Sequence, residues 1–221
     1  RTKMNRLYCH CNTVMPNCRE VTESVPMESA DFNNMRRAMV DIQLRTNGVT
    51  EPWIVAAMGN VAREQFVPDA LRTTAYMDRS IALAGGKKLN PPMTTALMLQ
   101  AAEVSADDTI LLVGAPKGYV ATLLSARAKH LVVTETLAEL PETARKGGFS
   151  LIIIDGAVEI LPDALVALAA DGARIVTGVD ERGVTRLAAG FVRGGKVALR
   201  PFIDSEIAPL AEFARKPEFV F

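Results

Sequence analysis

Short apolar runs alternate with stretches of helical period from Thr109 onward, and this alternation limits the possible folds more than any other feature of the sequence. Short, continuously apolar runs are typical of strands buried in a parallel sheet, and helices usually form the crossings between such strands. The alternation therefore predicts an α/β fold in which helices cover both faces of a sheet. The predicted strands are Ile110 to Val113, Leu131 to Val133, Leu151 to Ile154 and Ala173 to Thr177, and the predicted helices are Tyr119 to Ala128, Leu137 to Arg145 and Pro162 to Ala169.

The last two apolar runs of the chain indicate a different kind of pairing. Gly183 to Val192 and Lys196 to Phe202 are joined by Gly194-Gly195. Two glycines between two strands are typical of a β-hairpin. We therefore expect a C-terminal antiparallel strand pair.

The sequence before this α/β layer is mainly helical and irregular. Met35, Met39 and Ile42 recur at helical spacing, and Asn47-Gly48 is a helix-ending signal. Pro52 and Pro92 both suit the first turn of a helix. The predicted elements are a helix from Asp31 or Asn33 to about Thr46, a helix begun by Thr50 and Pro52, a short strand at Ile81 to Leu83, a loop from Gly85 to Pro92, and a helix from Met93 to about Val104.

The first 30 residues differ from the rest of the chain, because they show neither a helical nor a strand period. We interpret residues 1–30 as a disordered leader that is not native, with Met27 as the natural start. Residues 31–221 are expected to form a single domain, with a helical and loop part at 31–92 and the α/β core at 93–221. Cys9-His10-Cys11 with Cys18 could form a metal cluster, but it lacks the paired Cys-x-x-Cys spacing of structural zinc sites. We predict no metal site.

Charge and hydropathy argue against two classes of partner. The chain has 25 Lys and Arg residues and 25 Asp and Glu residues, so its formal net charge is zero. A neutral chain generates no long-range field that would gather nucleic acid or anionic lipid. No apolar run approaches the roughly 18 to 20 residues that span a bilayer. We expect a cytoplasmic protein that binds neither nucleic acid nor membrane.

Candidate site residues follow the ends of the predicted strands, where open α/β sheets bind their ligands. Gly114 and Gly118 bracket a strand-to-helix turn, and Glu135 follows Gly114 by 21 residues, near the interval at which such folds place an acid on a ribose hydroxyl. This combination favours an adenosine-type ligand, although tight turns into helices also select glycine. Asp155 ends an apolar strand and either points into a cleft or caps the turn at Gly156.

Several segments of the chain resemble the protein-L-isoaspartate O-methyltransferase family. The N-terminal signature is carried by Met35 to Val40, Gln43-Leu44 with Gly48-Val49, Arg63 to Pro68 and Ala75 to Asp78. The resemblance continues through Gly114 to Tyr119 and Pro162 to Thr177 into the Phe202 to Leu210 region.

The resemblance implies a Rossmann-like S-adenosylmethionine methyltransferase sheet with an N-terminal helical extension. It implies methyl transfer from S-adenosylmethionine to isoaspartyl carboxylates in damaged proteins or peptides. A carboxylate with a pKa near 4 is already ionised at neutral pH, so such an enzyme works chiefly by alignment rather than by general base catalysis. The cofactor-binding residues implied are Gly114, Ala115, Gly118, Tyr119, Glu135 and Asp155.

The cofactor loop departs from the family pattern at two positions. Leu112 stands where the family carries an acidic residue and cannot offer its negative charge. Pro116 removes a backbone donor, fixes its own φ and restricts Ala115. If the loop needs a positive φ at Pro116, we expect S-adenosylmethionine to bind weakly or not at all.

The substrate loop departs as well, since Gly86 to Pro92 correspond to the family's Gly-Gln-Thr-Ile-Ser-Gln-Pro and both hydroxyls are absent. Asn90 can still donate to a carboxylate and Lys88 can attract one, so these two are the candidate catalytic residues. Gly86 and Leu89 are the other candidates in this loop. The alternative is that Lys87 and Lys88 are two solvated lysines.

A third departure lies after Glu135, because Phe149 follows it by only 14 residues. This interval allows one helix but not the further strand that the family places there. A bare edge strand is a template for unwanted pairing, so we expect another chain, as in a homo-oligomer, or the N-terminal helices to cover it.

Two functions remain open from the sequence. One is an active isoaspartyl methyltransferase, and the other is a catalytically degenerate family member that serves as a binding or interaction module. A nucleotide site using Lys117 is weaker, because one lysine beside a proline lacks the run of free amides that phosphate sites use.

Overall fold

The computed structural model describes residues 29–215 of the chain. Most of the predicted leader, and the Cys9, Cys11 and Cys18 cluster with it, lies outside these residues. Helix α1 spans Ser29–Ala38, so it begins two residues earlier than the predicted domain boundary at residue 31.

The first helix ends where the sequence predicts. Helix α1 continues through a π-helical turn at Met39–Leu44 and a 3₁₀ turn at Arg45–Asn47. Gly48 follows with a φ of 85°, a left-handed conformation that glycine adopts without strain. Helix α2 spans Pro52–Asn60 and begins with its proline, as expected.

The segment predicted as a loop from Gly85 to Pro92 is in part a small hairpin. Strands β1 (Ile81–Ala82) and β2 (Lys88–Leu89) pair antiparallel, with Ile81 opposite Leu89. Gly85 and Gly86 form the turn with φ values of 69° and 75°. Strand β1 lies within the strand predicted at Ile81 to Leu83, whereas β2 lies in the predicted loop, because a strand of two residues shows no period-2 pattern. Helix α3 (Pro92–Ala102) follows directly.

A seven-stranded sheet forms the rest of the domain, together with helices α4 (Tyr119–Ser125) and α5 (Asp163–Val166). Its strands are β3 (Thr109–Val113), β4 (His130–Thr134), β5 (Phe149–Val158), β6 (Ala169–Glu181), β7 (Val184–Arg193), β8 (Lys196–Val197) and β9 (Arg200–Asp204). The strand order is β4-β3-β5-β6-β7, with β8 and β9 both paired to β7. The strands β3 to β6 are parallel, and the later pairs are antiparallel, so the C-terminal antiparallel pair is confirmed.

Two helix predictions were wrong, one because no α-helix forms and one because the helix is shorter than predicted. Leu137 to Arg145 contains 3₁₀ turns at Leu137–Glu139 and Ala144–Lys146 instead of a helix, because Pro141 lacks the amide donor that a helix interior needs. Helix α5 ends at Val166, and β6 starts as early as Ala169 because Ala169 already pairs with Phe149.

The sheet buries an apolar core on each face. Helices α3 and α4 and the N-terminal helices cover one face, while α5 and residues such as Leu140 and Phe213 cover the other. The prediction of a sheet between two helical layers is therefore confirmed. None of the helices in residues 29–215 is long and apolar enough to cross a membrane.

Strand β4 forms one edge of the described sheet, since it pairs only with β3. The N-terminal helices pack against α3 and α4. Coverage of β4 by another chain, and with it a homo-oligomer, stays a prediction.

Close packing between β5 and β6 gives a test of this architecture. A Cβ added to Gly178 would lie 3.0 Å from the Ala157 Cα and 2.8 Å from the Ile207 Cδ1. We expect Gly178→Ala to lower the free energy of unfolding by about 1–3 kcal/mol, because a neighbouring backbone must move. Urea denaturation measures this change.

Gly59→Ala is the matched control. Gly59 lies in α2, and an added Cβ would meet only the Val40 Cγ2 at 3.9 Å, an ordinary contact. The free energy of unfolding of this variant should rise by about 0.5–1 kcal/mol, because alanine is a better helix former than glycine. Equal effects at the two glycines would contradict the packing described between β5 and β6.

Candidate functional site

A cleft of about 710 Å³ opens at the carboxyl ends of the parallel strands. Its volume lies within the usual range for sites that bind small molecules and cofactors. Four parts of the chain line it: residues 65–68, the β1-β2 hairpin from Leu83 to Leu89, the residues after β3, β4 and in β5, and residues 208–211.

The register of the sheet brings three predicted residues together. Val113 at the end of β3 is paired with Thr134 of β4 and Ile154 of β5. The residues that come next along the chain are Gly114, Glu135 and Asp155, and all three line the cleft. An added Cβ on Gly114 would lie 3.2 Å from the Asp155 Cβ, so this glycine allows the two strands to approach closely.

The altered residues of the cofactor loop fit the backbone that the structure adopts. No residue from Gly114 to Gly118 has a positive φ, so the fixed φ of Pro116 causes no strain. Leu112 is 1% exposed and packs in the core beneath the loop rather than in the cleft. The expectation that these two residues exclude the cofactor therefore has no support in the loop conformation.

Glu135 and the hairpin meet across the cleft. The Glu135 carboxylate accepts a hydrogen bond from the Lys87 ammonium at 2.5 Å. Lys87 therefore has a carboxylate partner, and its side chain is also 56% exposed, as a solvated lysine would be. The hairpin residues Gly86, Lys88 and Leu89 also line the cleft.

Asn90 does not lie where a residue that touches substrate would lie. Its side chain is 3% exposed, and both ends of its amide are already hydrogen-bonded. The Nδ2 donates to the Asp155 carboxylate at 2.8 Å, and the Oδ1 accepts from the Ala208 amide at 2.9 Å. The structure thus assigns Asn90 a positioning role, linking the hairpin to β5 and to the C-terminal segment.

Asp155 is a partly buried acid that lines the cleft. Burial raises the pKa of its carboxyl, while the hydrogen bond from Asn90 and the positive charge of Arg63 act in the opposite direction. The net shift is upward, so the folded protein favours the protonated form more than the unfolded chain does.

Arg63 is the residue of the site that the sequence analysis missed. Its side chain is fully buried, and it donates to the carbonyl oxygens of Ala75 at 2.7 Å and Asn90 at 2.5 Å. Its guanidinium also lies 4.9 Å from the centre of the Tyr119 ring, a cation–π contact. Arg63 belongs to the Arg63 to Pro68 segment, but nothing in that segment indicates that this charge points inward.

Tyr119 contributes its ring rather than its hydroxyl. The ring packs edge-on against Phe66 at 5.5 Å between centroids, and burial raises the pKa of Tyr119 to about 12. Its hydroxyl has no hydrogen-bond partner among the described residues. A contact of Tyr119 with the cofactor stays a prediction.

The C-terminal segment closes one wall of the cleft. The Ala157 amide donates to the Ala208 carbonyl at 2.8 Å, and the Leu210 amide donates to the Ala157 carbonyl at 2.9 Å. A Cβ on Gly156 would lie 2.4 Å from the Leu210 Cγ, so glycine lets Leu210 reach the cleft. No group of three His, Cys, Asp or Glu side chains in residues 29–215 could hold a metal ion.

The sequence of this chain matches one family model and several known proteins. Residues 34–148 match the family model described as protein-L-isoaspartate(D-aspartate) O-methyltransferase. A protein-L-isoaspartate O-methyltransferase of Methanoculleus marisnigri is 29% identical over 83% of this chain and 94% of its own. A second one, from Protochlamydia amoebophila, is 31% identical over 62% of this chain and 70% of its own.

A solved structure shares the fold. It is described as a protein-L-isoaspartate O-methyltransferase from Plasmodium falciparum in complex with S-adenosyl-L-homocysteine. It superposes with a TM-score of 0.66 and 14% sequence identity, covering 80% of this chain and 98% of that one.

The raised pKa of Asp155 predicts how stability changes with pH. An acid whose pKa is higher in the folded state destabilises the fold increasingly as pH rises from the unfolded pKa through the folded one. Asp155→Asn removes this cost and keeps an oxygen that can accept from Asn90. We expect the variant to melt at a higher temperature than the wild type, with a larger difference at pH 7 than at pH 4, because pH 4 lies close to the ordinary pKa of this carboxyl.

Asp107→Asn serves as the control, because Asp107 is exposed and its side chain makes no hydrogen bond among the described residues. Its melting temperature should follow that of the wild type at both pH values. A loss of stability in Asp155→Asn, or a gain that does not change with pH, would contradict the account of Asp155.

Proposed function

The chain belongs to the protein-L-isoaspartate O-methyltransferase family, and we propose that it transfers the methyl group of S-adenosylmethionine to isoaspartyl carboxylates in proteins or peptides. The observation that carries this proposal is the convergence of Gly114, Glu135 and Asp155 in one cleft with the β1-β2 hairpin. Proteins named for this activity match most of the chain.

The cofactor would lie along the carboxyl ends of β3 and β4. The turn from Gly114 to Gly118 leaves room for a ligand beside the backbone, and the Glu135 carboxylate is suited to accept hydrogen bonds from ribose hydroxyls. Tyr119, Phe66 and Leu210 supply apolar surface. When bound, S-adenosylmethionine supplies an electrophilic methyl group.

The chain's own residues would act mainly by alignment. The substrate carboxylate is ionised at neutral pH and is itself the nucleophile, so no residue has to remove a proton from it. The exposed ammonium of Lys88, at the rim of the cleft, would attract that carboxylate. Asn90 and Arg63 would hold the hairpin in place and so keep the carboxylate in line with the methyl group.

The alternative of a degenerate binding module gains no support from the loop geometry. Pro116 is one argument for this alternative, and the loop accommodates that residue without a positive φ. A cytoplasmic location stays a prediction.

Ligand binding and turnover test the proposal. S-adenosylhomocysteine at 100 times its dissociation constant should add roughly 2.7 kcal/mol to the stability of the folded state, which differential scanning fluorimetry detects as a higher melting temperature. With radiolabelled S-adenosylmethionine, an isoaspartyl peptide should be methylated and its normal aspartyl counterpart should not. If millimolar ligand left the melting temperature unchanged, the proposal would fail.

Lys88 provides a test of the substrate side. Lys88→Met should raise the KM for an isoaspartyl peptide by up to about fivefold, the effect of one exposed ion pair, and should leave the affinity for S-adenosylhomocysteine unchanged. Lys129→Met removes the same charge from an exposed position at the opposite end of β4. An equal KM in the two variants would exclude a role for Lys88 in binding the carboxylate.

A further inference from the structure

An ion pair joins the two sides of the cleft at the place proposed for the ribose. The Lys87 Nζ lies 2.5 Å from the Glu135 Oε2, although the two residues are 48 positions apart in sequence. Both side chains are partly exposed, 56% for Lys87 and 37% for Glu135. Exposed pairs of this kind contribute little to stability, so a ligand can displace this one.

The backbone beneath Lys87 is anchored, and only its side chain has freedom to move. The Lys87 carbonyl accepts a hydrogen bond from the Leu83 amide at 2.8 Å, which closes the hairpin turn. The side chain has four rotatable bonds and ends in an ammonium with three donors. Withdrawal of the ammonium from Glu135 therefore requires no rearrangement of the hairpin.

The ammonium and a ribose would use the same acceptor. A carboxylate has two oxygens, and a ribose presents two hydroxyl donors to them, whereas Lys87 already occupies Oε2. We propose that Lys87 competes with the hydroxyls of the nucleoside ligand for Glu135 and thereby sets the affinity for that ligand. This inference rests on the proposed function, since it assumes that the cleft binds the adenosyl group.

The competition has two measurable consequences. Ligand affinity in the wild type is lower than the cleft would otherwise provide, because binding must break the ion pair. Added salt screens exposed charges, since the Debye length falls from about 10 Å at 0.1 M to about 3 Å at 1 M. Salt therefore weakens the competitor and raises the affinity for the ligand.

Isothermal titration calorimetry with S-adenosylhomocysteine tests the competition between Lys87 and the ligand for Glu135. At low salt, Lys87→Met should bind the ligand up to about fivefold more tightly than the wild type. The difference should shrink at 0.5 M NaCl, because salt helps only the protein that has the ion pair. Lys87→Arg keeps a positive charge that can pair with Glu135 and should behave like the wild type.

Lys129→Met is the charge-matched control and should bind like the wild type at both salt concentrations. Equal affinity of Lys87→Met and the wild type would overturn the competition while leaving the proposed function intact. Weaker binding by Lys87→Met would also overturn it, by showing that Lys87 assists the ligand. Failure of every variant to bind would overturn the proposed function itself, and the competition with it.

Discussion

The buried guanidinium of Arg63 is the interaction on which the arrangement of the cleft depends. A charge removed from water is costly unless hydrogen bonds and opposite charges compensate it. Arg63 obtains that compensation from the carbonyls of Ala75 and Asn90, from the Tyr119 ring and from the charge of Asp155. These partners come from four separate parts of the chain, so the contacts of one side chain fix their relative positions. The Arg63 Nη1 is buried and has no hydrogen-bond partner among the described residues.

Asn90 extends this network from the N-terminal part to the end of the chain. Its carbonyl faces Arg63, its amide nitrogen faces Asp155, and its amide oxygen faces Ala208. The segment that contains Ala208 is in turn hydrogen-bonded to Ala157. The walls of the cleft are therefore parts of one connected structure. This explains how a short hairpin and an irregular C-terminal segment can present Lys88 and Leu210 at defined positions.

Sequence patterns predicted the features that depend on local order and on topology. Gly114, Glu135 and Asp155 could be found because each follows a predicted strand, and parallel strands carry such residues to one edge. In the structure β5 continues past Asp155 to Val158, so Asp155 lies within the strand rather than after it. The inward direction of Arg63 could not be predicted, because it depends on partners 12 and 27 positions away. Strand β1 lies within the strand predicted at Ile81 to Leu83, whereas β2 was missed because two residues show no period. The helix expected at Leu137 to Arg145 does not form, because Pro141 interrupts the apolar spacing that predicted it.

The position of Asn90 also shows why a family pattern carries over poorly one residue at a time. A hydroxyl donates and accepts through one oxygen, whereas an amide separates donor and acceptor onto two atoms. Asn90 uses this separation to bridge Asp155 and Ala208, which lie on different segments. Burial of both atoms leaves its side chain no free group to offer a substrate. Contact with the substrate carboxylate must then come from residues that face the cleft, and in the hairpin the exposed ammonium of Lys88 is such a group, while that of Lys87 is paired with Glu135.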